Sequence, residues 1–201
     1  TRTRPGSVRC AASTTDRGTV VVSLTLLLGG ARSGKSSLAV ELGHRHAAAD
    51  GAVTFIATAP VIDDDMAARI ARHRDERPAG WATIEEEVDL VDAIASIGTD
   101  DLVIIDCLTL WTSNLMWRDV SDDEIATATS ATVDAVRARR GPTVAISNEV
   151  GLGIHPEHEL GRRYRDVRGR VNQAWAAAAD PTLLLVAGQA LRLGDPWDHL
   201  A

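Results

Sequence analysis

The chain has 201 residues and a formal net charge of −7, from 28 acidic and 21 basic side chains. That length suits one compact domain with one core, needing neither disulfide nor metal staple. The acidic balance argues against a broad nucleic-acid surface, and no apolar run reaches the ~18 residues of a membrane span without polar interruption.

One Phe, one Tyr and five Trp leave the core to be built mostly from Val, Ile, Leu and Ala. Cys10 and Cys107 have neither ligand nor redox spacing and read as free thiols of a reducing cytoplasm. The first twenty residues carry four Arg and one Asp among Ser, Thr, Gly and Pro. They lack an apolar core of the secretory type, so residues 1–19 are expected to form a disordered extension and residues 20–201 one catalytic domain.

Residues 20–28 are apolar and lead straight into Gly29-Gly30-Ala31-Arg32-Ser33-Gly34-Lys35-Ser36. Lys35 is the only lysine in the chain; every other basic residue is arginine. The segment fits Gly-x4-Gly-Lys-Ser/Thr, a loop whose backbone N–H groups wrap nucleotide phosphates. A compact ammonium on a flexible stem can follow phosphate oxygens where a planar guanidinium does not fit. Helix-forming residues over 36–49 complete the strand–loop–helix context.

A second strand is predicted over 53–57, then a helix over 63–76 opened by Asp63, Asp64 and Asp65 and stopped by Pro78. Arg69, His73 and Arg77 share one face of that helix, with Arg72 and Arg74 beside the histidine. A solvated basic face and a phosphate clamp centred on a neutral, nucleophilic His73 both fit this pattern. Apolar spacing predicts a helix over 88–97, and residues 102–105 a strand ending at Asp106. Beside the glycine loop, Asp106 and Ser36 suit Mg²⁺ in phosphoryl chemistry.

Ser121-x-x-Glu124 predicts a capped helix to about residue 140. A strand over 143–147 precedes Asn148 and Glu149, and a long helix is predicted over 159–179. On it Arg162, Arg165 and Arg170 surround Asp166, Asn172 and Gln173; i, i+4 spacing makes a surface ion ladder of Arg162, Asp166 and Arg170 the plain expectation. A fifth strand falls at 182–186. The histidines show no zinc spacing, and Trp81, Trp111, Trp117 and Trp175 read as packing residues. Alternating strands and helices imply an α/β fold, a mostly parallel sheet covered on both faces. Ligands gather at the carboxyl ends of such strands, where the glycine loop, Thr58, Asp106, Asn148 and Glu149 all fall.

Taken together, GGARSGKS at 29–36, FIATA at 55–59, DDDMAARIARHRDERPAGWATIE at 63–85 and VIIDCLTLWTSNL at 103–115 resemble one family. SNEVGLGIHPE at 147–157 and GRRYRDVRGRVNQAWAAAAD at 161–180 continue the match. The family is the bifunctional adenosylcobinamide kinase / adenosylcobinamide-phosphate guanylyltransferase of cobalamin biosynthesis. The resemblance covers about residues 24–190. It departs at Asp65, where a glutamate is expected; the change is chemically mild.

The resemblance implies a RecA-like P-loop fold and two reactions. ATP or GTP phosphorylates adenosylcobinamide; GTP then gives GMP to the resulting phosphate through a guanylylated histidine, which matches His73, releasing pyrophosphate. It also implies nucleotide contacts at Gly29, Gly30, Ala31, Arg32, Ser33, Gly34, Lys35, Ser36, Thr58, Ala59, Pro60, Arg74, Asp75, Glu76, Arg77, Glu85 and Asp106. His73 and Lys35 carry the chemistry, with Mg²⁺ at Ser36 and Asp106. Asn148, Glu149, Arg162 and Arg165 are the substrate-side candidates. A cytoplasmic homo-oligomer, a trimer by resemblance, with no nucleic-acid partner and no membrane span completes the expectation. The competing readings are a small-molecule kinase without nucleotidyl transfer, a non-catalytic nucleotide switch, and a nucleic-acid motor.

Overall fold

The computed structural model describes residues 24–60, 78 and 80–200. In chain order the elements are β1 (Leu24–Gly29), α1 (Lys35–Ala47), β2 (Val53–Ala57), β3 (Ala82–Glu85), α2 (Leu90–Ala95) and β4 (Leu102–Asp106). They continue with α3 (Leu108–Trp117), α4 (Asp122–Arg137), β5 (Thr143–Asn148), α5 (Glu159–Ala178), β6 (Thr182–Val186) and β7 (Gln189–Leu193).

The seven strands form one sheet in the order β3-β2-β4-β5-β1-β6-β7. All neighbours are parallel except β6 and β7. The central strands read as unbroken apolar runs because both faces of the sheet are covered. On one face Leu26, Ile105 and Ala145 pack with Leu108, Trp111, Val171 and Trp175. On the other, Leu27, Phe55, Ile104 and Ile146 pack with Ala39 of α1. The alternation of Leu26 and Leu27 between the two clusters is the period-2 geometry of a strand.

Helix α4 starts where its sequence signature says. Glu124 donates its backbone N–H to Ser121 Oγ at 3.3 Å, and the Ser121 N–H donates to Glu124 Oε2 at 2.9 Å. The Ser121 hydroxyl, donating to Glu124 Oε2 at 2.6 Å, and then the Ser121 N–H hold the Glu124 carboxyl below its usual range.

Five features differ from the sequence expectation. Helix α3 and strands β3 and β7 were not expected, and β7 runs antiparallel at an edge with all five residues exposed. Trp117 is 64% exposed, whereas Trp111 and Trp175 are fully buried. Trp117 is the last residue of α3, and it points away from the core that its neighbours Leu115 and Met116 enter. Arg170 turns from Asp166 to Asp122 on α4, 3.8 Å away, where Arg163 also donates at 2.8 Å; no i, i+4 ladder forms among the described residues. The expected extension 1–19 and the expected helix over 63–76 lie outside the described residues. No described helix is long and apolar enough to cross a membrane.

Candidate active site

The glycine loop turns sharply from β1 into α1. Gly29 has φ 149°, and a Cβ there would collide with the Leu185 carbonyl and approach Ser33 Oγ. Gly34 caps α1 at φ 101°, which an L side chain rarely adopts. The first turn of α1 carries no acidic residue, leaving its N-terminal dipole open to an anion. From behind, the Gly188 N–H in the β6–β7 turn donates to the Ser33 carbonyl at 3.0 Å and fixes the loop's outer wall.

Lys35 is buried, and its ammonium folds back on the loop. Nζ donates to the Gly29 carbonyl at 2.9 Å, the Gly30 carbonyl at 2.7 Å and Ser33 Oγ at 3.3 Å. Burial lowers its pKa below the ordinary lysine value, while Cys107 and Asp106 pull it back up. A phosphate arriving here would exchange with those weak neutral acceptors and restore proton affinity. Two consequences follow by linkage. Without nucleotide, the folded protein binds this proton less tightly than the unfolded chain, so stability rises as pH climbs from the lowered value towards 10.5. Triphosphate affinity should instead fall as pH rises through that lowered value, with proton uptake on binding. Calorimetric titration of GTP in two buffers of different ionisation enthalpy checks this; affinity flat to pH 10.5 would contradict it.

Next to the ammonium, Ser36 Oγ donates to Asp106 Oδ2 at 3.3 Å. A hydroxyl and a carboxylate oxygen together are donors a hard divalent cation accepts, supplemented by phosphate oxygens and water. No group of three or more His, Cys, Asp or Glu among the described residues could hold a metal without such help. The pair therefore fits Mg²⁺ shared with a nucleotide and does not fit a resident metal.

Thr58 is buried, and its hydroxyl donates to the Cys107 carbonyl at 2.8 Å while accepting the Cys107 N–H at 2.8 Å. The Thr58 N–H also donates to the Asp106 carbonyl at 3.1 Å. Its side chain thus braces the turn after β4, and Ala59 and Pro60 follow at the rim. Asn114 Nδ2 donates to the Thr58 carbonyl at 2.8 Å and secures the same turn from α3. Cys107 is a free thiol whose pKa burial raises, with Asp106 adding to the rise.

Strand order then fixes where along the rim the Asn148–Glu149 segment lies, which the sequence placed at that rim without a neighbour. β5 lies between β4 and β1, and Asn148 is in register with Gly29. The Glu149 N–H donates to the Gly29 carbonyl at 3.3 Å, so Asn148 and Glu149 stand between the glycine loop and Asp106. Glu85, in register with Ala57, ends β3 at the far edge of the same rim. Arg162 instead donates to the Pro156 and Glu157 carbonyls at 3.2 and 2.5 Å, bracing the loop before α5. Arg165 lies 3.7 Å from its neighbour Asp166. The structure does not bring these two arginines into contact with the loop residues. His73, Arg74, Asp75, Glu76 and Arg77 lie outside the described residues.

One buried residue was overlooked. Arg168 is fully buried and joins Leu108, Thr112, Ser147 and Asn172 behind the rim. Its signal was its place on the stripe of Arg168, Asn172 and Trp175, spaced i, i+4, i+7 on the apolar face of α5.

A glycine loop at the head of α1 beside a strand-end carboxylate, on a mostly parallel sheet, defines a RecA-like P-loop nucleotide-binding protein. The flagellar accessory protein FlaH from Methanocaldococcus jannaschii shares this fold. It has a TM-score of 0.52 and 13% identity, covering 88% of this chain and 80% of that one. Residues 25–193 match the family model described as cobinamide kinase / cobinamide phosphate guanyltransferase, and the chain belongs to that family. It is 39% identical to the bifunctional adenosylcobalamin biosynthesis protein CobU of Salmonella typhimurium, over 85% of this chain and 99% of that protein. The CobU of Escherichia coli matches equally, and CobP of Pseudomonas aeruginosa is 41% identical over 85% of this chain and 98% of its own length. The chain is accordingly a P-loop transferase of cobalamin biosynthesis.

Proposed function

We propose that this enzyme phosphorylates adenosylcobinamide with ATP or GTP and then transfers GMP from GTP to the phosphate so made, using His73 as the nucleophile. Family membership over residues 25–193, together with a loop ammonium beside the Ser36–Asp106 pair, carries this reading.

In the first reaction the glycine loop and Lys35 hold the triphosphate, and the aminopropanol hydroxyl of the corrinoid attacks the terminal phosphorus. An O–P bond forms, the bond to the bridging oxygen breaks, and the nucleoside diphosphate leaves. Glu149, on the loop between β5 and α5, accepts the hydroxyl proton, and Asn148 orients the substrate. Mg²⁺ held by Ser36 and Asp106 would neutralise phosphate charge when bound.

In the second reaction a ring nitrogen of His73 attacks the α-phosphorus of GTP. A P–N bond forms and the α–β bridging bond breaks, so pyrophosphate leaves from the glycine loop. A phosphate oxygen of adenosylcobinamide phosphate then displaces the histidine, giving adenosylcobinamide-GDP. Two transfers through a covalent stage replace one harder transfer. Arg74 and Arg77 beside His73 offset negative charge on the phosphorus under attack. Asp75, Glu76 and Glu85 complete the nucleotide contacts that the family resemblance implies. The reading includes a cytoplasmic homo-oligomer, a trimer by resemblance.

Supplying the purified chain with adenosylcobinamide, Mg²⁺ and GTP tests the pair of activities. Sequential appearance of the phosphate, then the GDP derivative with one pyrophosphate per turnover, is expected. The phosphate alone, with no pyrophosphate, would leave a small-molecule kinase; neither product would leave a nucleotide switch.

A further inference from the structure

Arg168 is 0% exposed, one of the largest fully buried side chains among the described residues. Burial lowers its pKa, Tyr164, Cys107 and Glu149 oppose that shift from a distance, and no described carboxylate lies within ion-pair range of it. A buried unpaired cation is costly, and an apolar side chain of similar volume commonly serves stability as well or better. A guanidinium kept in such a place needs a geometric reason. Its partners supply one.

Nη1 donates to the Leu108 carbonyl at 3.1 Å and to Thr112 Oγ1 at 2.9 Å, both in α3. Nη2 donates to Asn172 Oδ1 at 2.8 Å and to Ser147 Oγ, the residue before Asn148 in β5. Ser147 Oγ in turn donates to Asn172 Oδ1 at 2.6 Å. Asn172 Nδ2 then donates to the Asn148 carbonyl at 3.2 Å. On the other side, the Asn148 N–H donates to Thr109 Oγ1 at 2.8 Å, one residue beyond Leu108. The planar fork therefore ties the first turn of α3, which follows Asp106, to the end of β5, which leads into Glu149. An ammonium, with three donors on one atom, cannot span both elements.

We propose that Arg168 is a positioning residue that sets the Asn148–Glu149 segment against Asp106 for phosphoryl transfer to the corrinoid. This rests on the substrate-side role of Asn148 and Glu149. Arg168 touches no reacting atom; it acts through Asn172, Ser147 and the α3 backbone.

The test measures the kinase step in Arg168→Lys, Thr112→Val and Val171→Ala, with active sites counted by nucleotide titration. Val171 is buried one turn along the same helix and makes none of these polar contacts, so it reports loss of packing alone. Arg168→Lys should lower kcat per active site about 100-fold, the scale of a misplacement near 1 Å, and change the KM for triphosphate less than about threefold. Thr112→Val, which removes one acceptor, should lower kcat about threefold to tenfold. Val171→Ala should lower the melting temperature and leave kcat per active site unchanged.

Arg168→Lys with kcat within about twofold of wild type overturns the proposal, as does an equal kcat loss in Val171→Ala. If Arg168→Lys does not fold, unchanged kcat in Thr112→Val overturns it. Glu149→Gln separates the two layers. Full kinase turnover there removes the substrate-side reading and the proposal's target with it. A slow Glu149→Gln beside an unaffected Arg168→Lys keeps that reading and sinks only the positioning role.

Discussion

Replacing His73 with alanine will abolish guanylyl transfer while leaving triphosphate binding and the kinase reaction largely intact. In the proposed route the imidazole forms the P–N bond, so its removal should close the covalent route, and losing a nucleophile typically lowers kcat by about four orders of magnitude or more. Binding should survive because the proposed phosphate ligands, the glycine loop, the N-terminus of α1 and Lys35, do not include it. Radiolabelled GMP still attached covalently to His73→Ala would remove the assignment, and so would persistent formation of adenosylcobinamide-GDP. A kinase step that fell equally would instead make His73 a general binding residue.

Lys35→Ala will damage both reactions. In the proposed reading each reaction develops charge on phosphate oxygens beside one ammonium, and removing a preorganised donor to such charge costs about 100- to 1,000-fold in kcat. The fold should tolerate the change. The ammonium is buried with no carboxylate of the described residues in ion-pair range, and burial already lowers its pKa, so deletion relieves a desolvation penalty. Against that relief, the Gly29 and Gly30 carbonyls and Ser33 Oγ lose a donor. A melting temperature within a few degrees of wild type, alongside a large loss in both turnovers, is expected. Lys35→Arg should recover little, because a planar guanidinium cannot sit where Nζ meets two carbonyls in a tight loop. Full kinase turnover in Lys35→Ala would show that the loop ammonium is not the phosphate ligand.

Local patterns made part of this structure legible from sequence. Strands over 53–57 and 182–186 appear at the expected residues because their apolar runs end at polar residues, glycine or proline. The Ser121–Glu124 box set the start of α4 through its own hydrogen bonds. Helix α3 was missed because its apolar sequence continues the preceding strand with only Cys107 between them. No cap marks its start, and residues such as Thr112 and Asn114 are buried rather than on a polar face. Strand β3 is four residues long and mostly exposed, so its pairing with β2 makes it a strand more than its own pattern does. The β6–β7 turn uses Ala187 and Gly188, both at positive φ, without the Asn-Gly or Asp-Gly signature of such hairpins.

The site divides in the same way. Lys35, Ser36 and Asp106 were legible because each sits in a local strand-end motif, and the structure brings Ser36 to Asp106. The position of Asn148 beside Gly29 depends on β5 entering the sheet between β4 and β1, a long-range pairing no local window contains. Arg168 was hidden for a related reason: its partners are 60, 56, 21 and 4 residues away in sequence. Arg162 and Arg165 show the converse. Their type and helix suggested a ligand, yet Arg162 braces its own loop and Arg165 lies beside its neighbour Asp166.

The most direct measurement is incubation of the chain with Mg²⁺ and GTP labelled in the α-phosphate, followed by denaturation and peptide mapping. The label should appear on the peptide containing His73, be labile in acid and stable in base, and leave on addition of adenosylcobinamide phosphate. Label on any other residue, or none while adenosylcobinamide-GDP still forms, would contradict transfer through that histidine.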